Sequence, residues 1–338
     1  MSAAAFTLLS PEEQEKRLTA LARTCVSRYE LTRSTEVKML NLSENATFLV
    51  EDAQAGIRSI LRIHRPWYHT ENAIRAELKW ISALRGHPEI YTAEPIRGID
   101  GDFVQVLDHA AVPEPRYAVM FSFLQGREPD PCDTASFQQL GAVTAHLHKQ
   151  TEAWPDAAQL ERHTWDLDSM FFGPNPLWGR WQDGVGVRGR RAQVLEKLAM
   201  HIHDRLTTYG KERHRFGLIH ADLRLANLLV HEGRVQVIDF DDCGYSWYMY
   251  DLASALSFIE DHPRVPALID AWLCGYRSVR KLSEADVELI PTFIMARRLL
   301  LVAWVGSHQE APYPRQLGEG FTEGTVRLAE RYFAEQGI

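Results

Sequence analysis

Two aspartates and an asparagine within one short stretch carry the clearest chemical signal in this chain. From His220 to Asp239 the sequence reads HADLRLANLLVHEGRVQVID. Asp222 follows an apolar, strand-like approach, Asn227 comes just before a second apolar run, and Asp239 closes a third, VQVID. Acidic groups at strand ends can converge on one site while a hairpin behind them fixes their spacing. Such a set suits phosphoryl transfer from ATP. One carboxylate orients an acceptor hydroxyl and takes its proton, while hard oxygen donors hold a divalent cation against the phosphates. The spacing gives Asp222 the first role and Asn227 with Asp239 the second, with Mg2+ as the cation. His220 suits holding the loop by hydrogen bonds, or a satisfied core position.

These residues need a scaffold, and the patterns around them predict one. Ser10-Pro11-Glu12-Glu13 is a helix start with a hydroxyl cap, an early proline and a glutamate three positions on, and it predicts a helix to about Tyr29. The runs Val37 to Leu42, Ala46 to Val50 and Ser59 to Ile63 predict three antiparallel strands joined by turns at Ser43-Glu44-Asn45 and Gln54-Ala55-Gly56. Ile74, Leu78 and Ile81 form a helical stripe over Asn72 to Leu84, and strands follow at Phe103 to Leu107 and Tyr117 to Phe123. Amphipathic helices surround Phe137 to Leu147 and Val194 to Leu206, separated by an aperiodic stretch, Thr164 to Gly189, rich in glycine, proline and tryptophan. Leu228 to Val230 and Val235 to Ile238 predict a hairpin turning at His231-Glu232-Gly233, and several helices follow from Asp251.

Composition sets outer bounds. The 338 residues suffice for two lobes, and a formal net charge of -8 disfavours wholesale binding to nucleic acid or an anionic membrane. Cys25, Cys132, Cys243 and Cys274 are scattered without a CxxC pair, as expected of free thiols in a reducing compartment. The start, MSAAAFTLLSPEEQEK, has no basic region before its short apolar run, so neither a secretory signal nor a membrane span is expected there, and the cytoplasm is the expected location.

HxDxxxxN followed by IDF resembles the catalytic and metal-binding segments of the aminoglycoside phosphotransferase and choline kinase family, whose fold is shared with protein kinases. The resemblance runs from about Val37 to Trp304 and is sharpest from Ile219 to Asp251. It implies an α+β, two-lobed protein-kinase-like fold, with a β-rich N-terminal lobe and a mostly helical C-terminal lobe. Residues 1–125 would form the nucleotide-binding lobe with its leading helix, and 126–338 the catalytic and substrate-binding lobe. By the same resemblance Asp222 is the catalytic base, Asn227 a metal ligand, and Asp239 the metal-binding aspartate of a DFG counterpart that here reads Asp239-Phe240-Asp241. Asp251, in YDLAS, would brace the catalytic loop.

On the nucleotide side no GxxxxGK[ST] occurs, so a P-loop is not expected. The resemblance places a phosphate-covering turn at Ser43-Glu44-Asn45, whose Ser43 hydroxyl or backbone N–H groups can donate to phosphate; the other reading is a plain polar hairpin turn. It also assigns Arg62 to the third-strand cation and Glu77 to its helix partner, with Arg65 as an alternative. In YAVMFSFLQGRE it implies a hinge whose backbone near Ser122 to Leu124 meets the adenine edge of ATP.

The acceptor is least legible. Trp165, Phe171, Phe172, Trp178 and Trp181, then Tyr245, Trp247, Tyr248 and Tyr250, can meet an alkylammonium through cation-π attraction, and Asp168, Asp241 or Asp242 can attract an amine. Singly, such residues read as loop anchors; together they favour a small pocket over a peptide groove. The expectation is an ATP-dependent kinase of a small hydroxylated metabolite, an amino alcohol or a hydroxy amino acid such as homoserine. The alternatives are a Ser/Thr protein kinase of the bacterial stress-response type, with a protein substrate, and a nucleotide-binding pseudokinase. His146-x-His148 and His201-x-His203 are not read as metal sites, because helix positions two apart face different ways.

Overall fold

Ser10 opens the first helix, α1 (Pro11–Val26): its hydroxyl accepts the Glu13 N–H at 3.3 Å, and Pro11 fills a position that needs no donor. The helix stops short of Tyr29. The N–H groups of Arg28 and Tyr29 fold back onto the carbonyls of Cys25 and Val26, and the Tyr29 ring enters the core. This computed structural model describes residues 6, 8–42 and 45–338, so Ser43 and Glu44 of the first hairpin lie outside the described residues. The chain divides into two compact units, residues 1–87 with 92–125, and residues 88–91 with 126–338.

In the first unit β1 (Glu36–Leu42), β2 (Ala46–Asp52) and β3 (Ile57–Ile63) form an antiparallel meander, with Val50 opposite both Val37 and Ser59. Then come α2 (Glu71–Leu84), β4 (Pro95–Ile96), β5 (Val104–Leu107) and β6 (Arg116–Ser122). The sheet runs β1-β2-β3-β6-β4, and β5 pairs with β6 beside β4. The two residues of β4 are too few to show a period, which is why the sequence does not reveal them. In β2 burial alternates along the strand, so Ala46, Phe48 and Val50 point into a core shared with Leu18, Leu21 and Cys25 of α1 and with Leu61 and Met120. Thr70 caps α2 by accepting the Ala73 N–H at 3.1 Å.

The second unit is mostly helical. It contains α3 (Thr134–Ala153), α4 (Arg190–Tyr209), β7 (Phe216–Ile219), β8 (Leu228–His231), β9 (Arg234–Val237), β10 (Gly244–Trp247), α5 (Tyr250–Ala255), α6 (Val265–Val279), α7 (Glu284–Glu288), α8 (Ile290–Ser307) and α9 (Pro312–Gln336). Helices α3 and α6 meet almost backbone to backbone. A Cβ on Gly141 would lie 2.0 Å from the Trp272 carbonyl oxygen, and one on Gly275 1.8 Å from that of Gln138. Only hydrogen fits at either place.

Two details depart from expectation. The hairpin strand ends at Val237, so Asp239 sits beyond it in a left-handed conformation, φ 62°, rather than at a strand end. The aromatic segment after it contains β10, which pairs antiparallel with β7 from Gly244 opposite Ile219 to Trp247 opposite Phe216. A four-residue strand that includes a glycine gives too little alternation to be recognised. The stretch Thr164 to Gly189 holds only a π turn, Asp168–Phe172, and a 3-10 turn, Trp181–Asp183. Helix α8 is long and apolar enough to cross a membrane by composition, yet 78% of it is buried within the protein, as for a core helix.

Candidate active site

The loop between β7 and β8 carries His220 to Asn227, and it is held almost entirely through its backbone. Asp251, near the start of α5, accepts the Ala221 N–H at 2.7 Å and the His220 N–H at 3.3 Å; Ser254, one turn on, accepts the Leu223 N–H at 2.9 Å. The YDLAS sequence is therefore a template for the loop: residues three apart on one helix face receive the amides of His220, Ala221 and Leu223. Asp251 is fixed in turn by His148 of α3, whose Nε2 lies 3.0 Å away, while His148 Nδ1 lies 2.8 Å from the Tyr276 hydroxyl. Burial holds the His148 pKa below its usual value against the pull of Asp251, so the ring is neutral, donates to Asp251 from Nε2 and accepts from Tyr276. That is a bracing role, and among the described residues no cluster of three metal-ligating side chains occurs. His220 ties the loop to the next segment, with Nε2 donating to the Ile238 carbonyl at 3.2 Å and Nδ1 accepting the Asp222 N–H at 3.3 Å.

So held, the chain turns through a left-handed Ala221, φ 66°, and presents Asp222. Non-glycine residues in this region store strain of about 1–3 kcal/mol and persist where surrounding bonds over-determine them. Three donors converge on the Asp222 carboxylate. Arg297 Nη2 reaches Oδ1 at 2.5 Å, Asn227 Nδ2 reaches Oδ2 at 2.7 Å, and Arg224 Nε reaches Oδ2 at 3.2 Å. Burial alone would push the Asp222 pKa up; the Arg297 and Arg224 charges outweigh it and hold the carboxyl below the usual range. The group is thus an ionised carboxylate and a weak base.

Asn227 and Asp239 carry oxygens of the kind that a hard cation takes. Asn227 gives its amide hydrogens to the Asp222 backbone oxygen, at 2.9 Å, and to Oδ2, which leaves the amide oxygen as the atom that could hold a cation. The Ile238 N–H donates to the Asn227 carbonyl at 3.0 Å, linking the loop to exposed Asp239. One amide and one carboxylate oxygen fit Mg2+, which keeps several waters and takes the rest of its shell from phosphates. Behind them Arg162 donates to the carbonyls of Asp241 and, at 2.7 Å, Cys243, which fixes the chain after Asp239.

In the first unit Arg62 of β3 and Glu77 of α2 form a buried pair, one Arg62 Nη2 reaching both Glu77 oxygens at 2.7 and 2.6 Å. Asn45 is buried and its side-chain oxygen accepts the Arg65 N–H at 3.1 Å, so it stabilises the path of its own strand pair. Ser122 is engaged by Glu94, which receives its N–H at 2.8 Å and donates to its hydroxyl at 2.9 Å; Leu124 has neither backbone group engaged among the described residues.

The aromatic residues divide differently from the expected pocket. Trp165 and Trp247 are buried and donate their indole N–H groups to the carbonyls of Asp242 and Gly210, and the Tyr245 hydroxyl donates to Ala157 at 2.6 Å. These are loop anchors. Trp178 and Tyr250 instead contact Arg297, the indole ring 5.1 Å from the guanidinium and the phenol oxygen 3.1 Å from Nη1. Arg297 and Arg224, both donors to the Asp222 carboxylate, are residues that sequence reasoning missed. A signal was present: Arg297-Arg298 interrupts the apolar run of α8, and charges inside a buried helix require partners.

The chain is similar to known proteins along most of its length. The model of the phosphotransferase enzyme family matches residues 39–284. The structure of the microcompartment-associated aminopropanol kinase superposes with a TM-score of 0.86 at 41% identity, covering 94% of this chain and 98% of that one. An uncharacterized protein of Deinococcus radiodurans is 30% identical over 316 residues, 90% of this chain and 86% of its own. The amicoumacin kinase of Bacillus subtilis is 24% identical over 297 residues, 81% of each chain.

Proposed function

The chain belongs to the phosphotransferase enzyme family and is an ATP-dependent kinase of small metabolites, and from that premise we propose that its acceptor is the hydroxyl of a short amino alcohol. The observation that carries the reading is the Asp222 carboxylate, ionised and held by three donors beside the Asn227 amide oxygen. The similarity to an aminopropanol kinase over nearly the whole of both chains favours an amino alcohol over a hydroxy amino acid.

In this mechanism Asp222 accepts a hydrogen bond from the acceptor hydroxyl and aligns its oxygen with the γ-phosphorus of ATP. The oxygen–phosphorus bond forms as the bond to the β-phosphate oxygen breaks and ADP departs. A carboxylate of lowered pKa draws the proton away late, once bond formation has made the hydroxyl acidic, as a loose transition state permits. Orientation is therefore its main contribution. Mg2+, held by Asn227 and Asp239, neutralises charge on the phosphate oxygens when bound. In the nucleotide-binding unit Glu77 steadies Arg62 against the donor phosphates, and the Ser122 to Leu124 backbone meets the adenine edge, with the Leu124 N–H as donor.

ADP formation measured across 1-amino-2-propanol, ethanolamine, homoserine, an aminoglycoside and a generic protein acceptor tests the proposal. It expects the highest kcat/KM for an amino alcohol; preferred transfer to homoserine or to protein would refute it.

A further inference from the structure

Arg297 lies beyond residues 39–284, the segment that matches the family model, yet it makes one of the shortest contacts to the candidate catalytic carboxylate. Its side chain is 2% exposed. The guanidinium is held on several sides: Nε donates to Ser257 Oγ at 2.9 Å, Nη1 to the Tyr250 hydroxyl at 3.1 Å and the Ala221 carbonyl at 3.5 Å, Nη2 to Asp222, and the Trp178 ring lies 5.1 Å away. The neighbouring Arg298 fixes the helix that carries it. Arg298 pairs with buried Glu260 at 2.6 Å and donates to Thr325 Oγ1 at 2.9 Å and the Phe321 carbonyl at 3.3 Å. With α8 locked on that side, Arg297 has one position and one direction.

We propose that Arg297 is a positioning residue for phosphoryl transfer, one that fixes the rotation of the Asp222 carboxylate so that a single acceptor direction remains for the substrate hydroxyl. This rests on the reading of Asp222 as the group that orients that hydroxyl. An ionised carboxylate offers about four lone-pair positions. Arg297, Asn227 and Arg224 occupy three of them. Arg224 is 32% exposed and long, so it restrains less than Arg297 does. A purely structural ion pair is a poor explanation, because a well-packed apolar pair commonly serves stability as well as a buried ionic one. The charge is kept where it sets the direction of a reacting group.

The test measures kcat, KM for the acceptor, Kd for Mg-ATP and thermal melting in Arg297→Met, Arg297→Lys and the double variant Tyr250→Phe/Ser257→Ala. The assay uses whichever acceptor in the panel above the wild type phosphorylates, so failure of the amino-alcohol reading appears in the wild type and failure of this proposal only in the variants. Misplacement of a reacting group by about 1 Å costs roughly 100-fold, and that is the fall in kcat expected for a folded Arg297→Met, with Mg-ATP affinity within about twofold. Arg297→Lys should recover part of the loss. Tyr250→Phe/Ser257→Ala leaves both charges in place and loosens only the guanidinium; it should lower kcat several-fold. Should Arg297→Met not fold, that double variant decides, and a wild-type kcat in it overturns the proposal. So does a folded Arg297→Met with unchanged kcat, or one whose kcat and Mg-ATP affinity fall in parallel. A wild type that binds nucleotide and transfers to no acceptor removes the premise, and the proposal with it.

Discussion

Arg62–Glu77 in the first unit and Arg297–Asp222 in the second are both buried arginine–carboxylate pairs, with side chains 6% and 0% exposed in one and 2% and 12% in the other. Their wiring differs. In the first pair both carboxylate oxygens receive the same arginine nitrogen, a contact that holds a guanidinium. In the second the oxygens are divided, Oδ1 to Arg297 and Oδ2 to Asn227 and Arg224, so the carboxylate is the object being held. The two pairs share burial and charge and differ in how these donors are distributed over the carboxylate.

Four experiments can break or sharpen this contrast. The largest effect is expected at Asp239, where Asn in place of Asp removes a charged oxygen donor; kcat should fall by about 100- to 1,000-fold and the Mg2+ concentration for half-maximal rate should rise. Unaltered Mg2+ dependence would remove Asp239 from the cation site. Next comes Glu77→Ala, which removes the buried carboxylate paired with Arg62 and should destabilise the protein by about 3–5 kcal/mol in urea unfolding. A loss below about 1 kcal/mol would mean that Glu77 is not what holds Arg62. The double change Arg62→Met/Glu77→Leu should restore most of that stability while weakening Mg-ATP binding, and full retention of nucleotide affinity would assign the pair to structure alone. The smallest effect belongs to Arg75–Asp102, an exposed counterpart in the first unit, with contacts at 2.7 Å and the carboxylate 38% exposed. Arg75 holds the Asp102 pKa down at about 2. A lowered pKa contributes stability above the unfolded value near 3.9, lost as pH falls through about 2. Solvent screening limits that contribution to below about 1 kcal/mol. Asp102→Asn should change stability at neutral pH by no more than this, and a larger loss would show that exposure does not discount the pair.

Sequence and structure agree most closely where local signals are strong. The Ser10 cap, the strands β1 to β3 and the Glu232-Gly233 turn, with φ of 49° and 75°, follow from local chemistry. The spacing of Asp222, Asn227 and Asp239 was readable because one loop and one hairpin carry all three. Arg297 was not, because it reaches Asp222 across 75 positions, and the charge that interrupts its apolar helix does not name its partner. The tryptophans, read singly as loop anchors, act as such at Trp165 and Trp247, whose indole N–H groups hold the carbonyls of Asp242 and Gly210.

The most direct test of the account is acceptor-dependent ADP formation by Asp222→Asn beside the wild type, at equal Mg-ATP occupancy and with folding verified by circular dichroism. Removing the orienting carboxylate should lower kcat by about 100- to 10,000-fold and leave the Mg-ATP Kd unchanged. A folded Asp222→Asn that turned over the acceptor at the wild-type rate would contradict it.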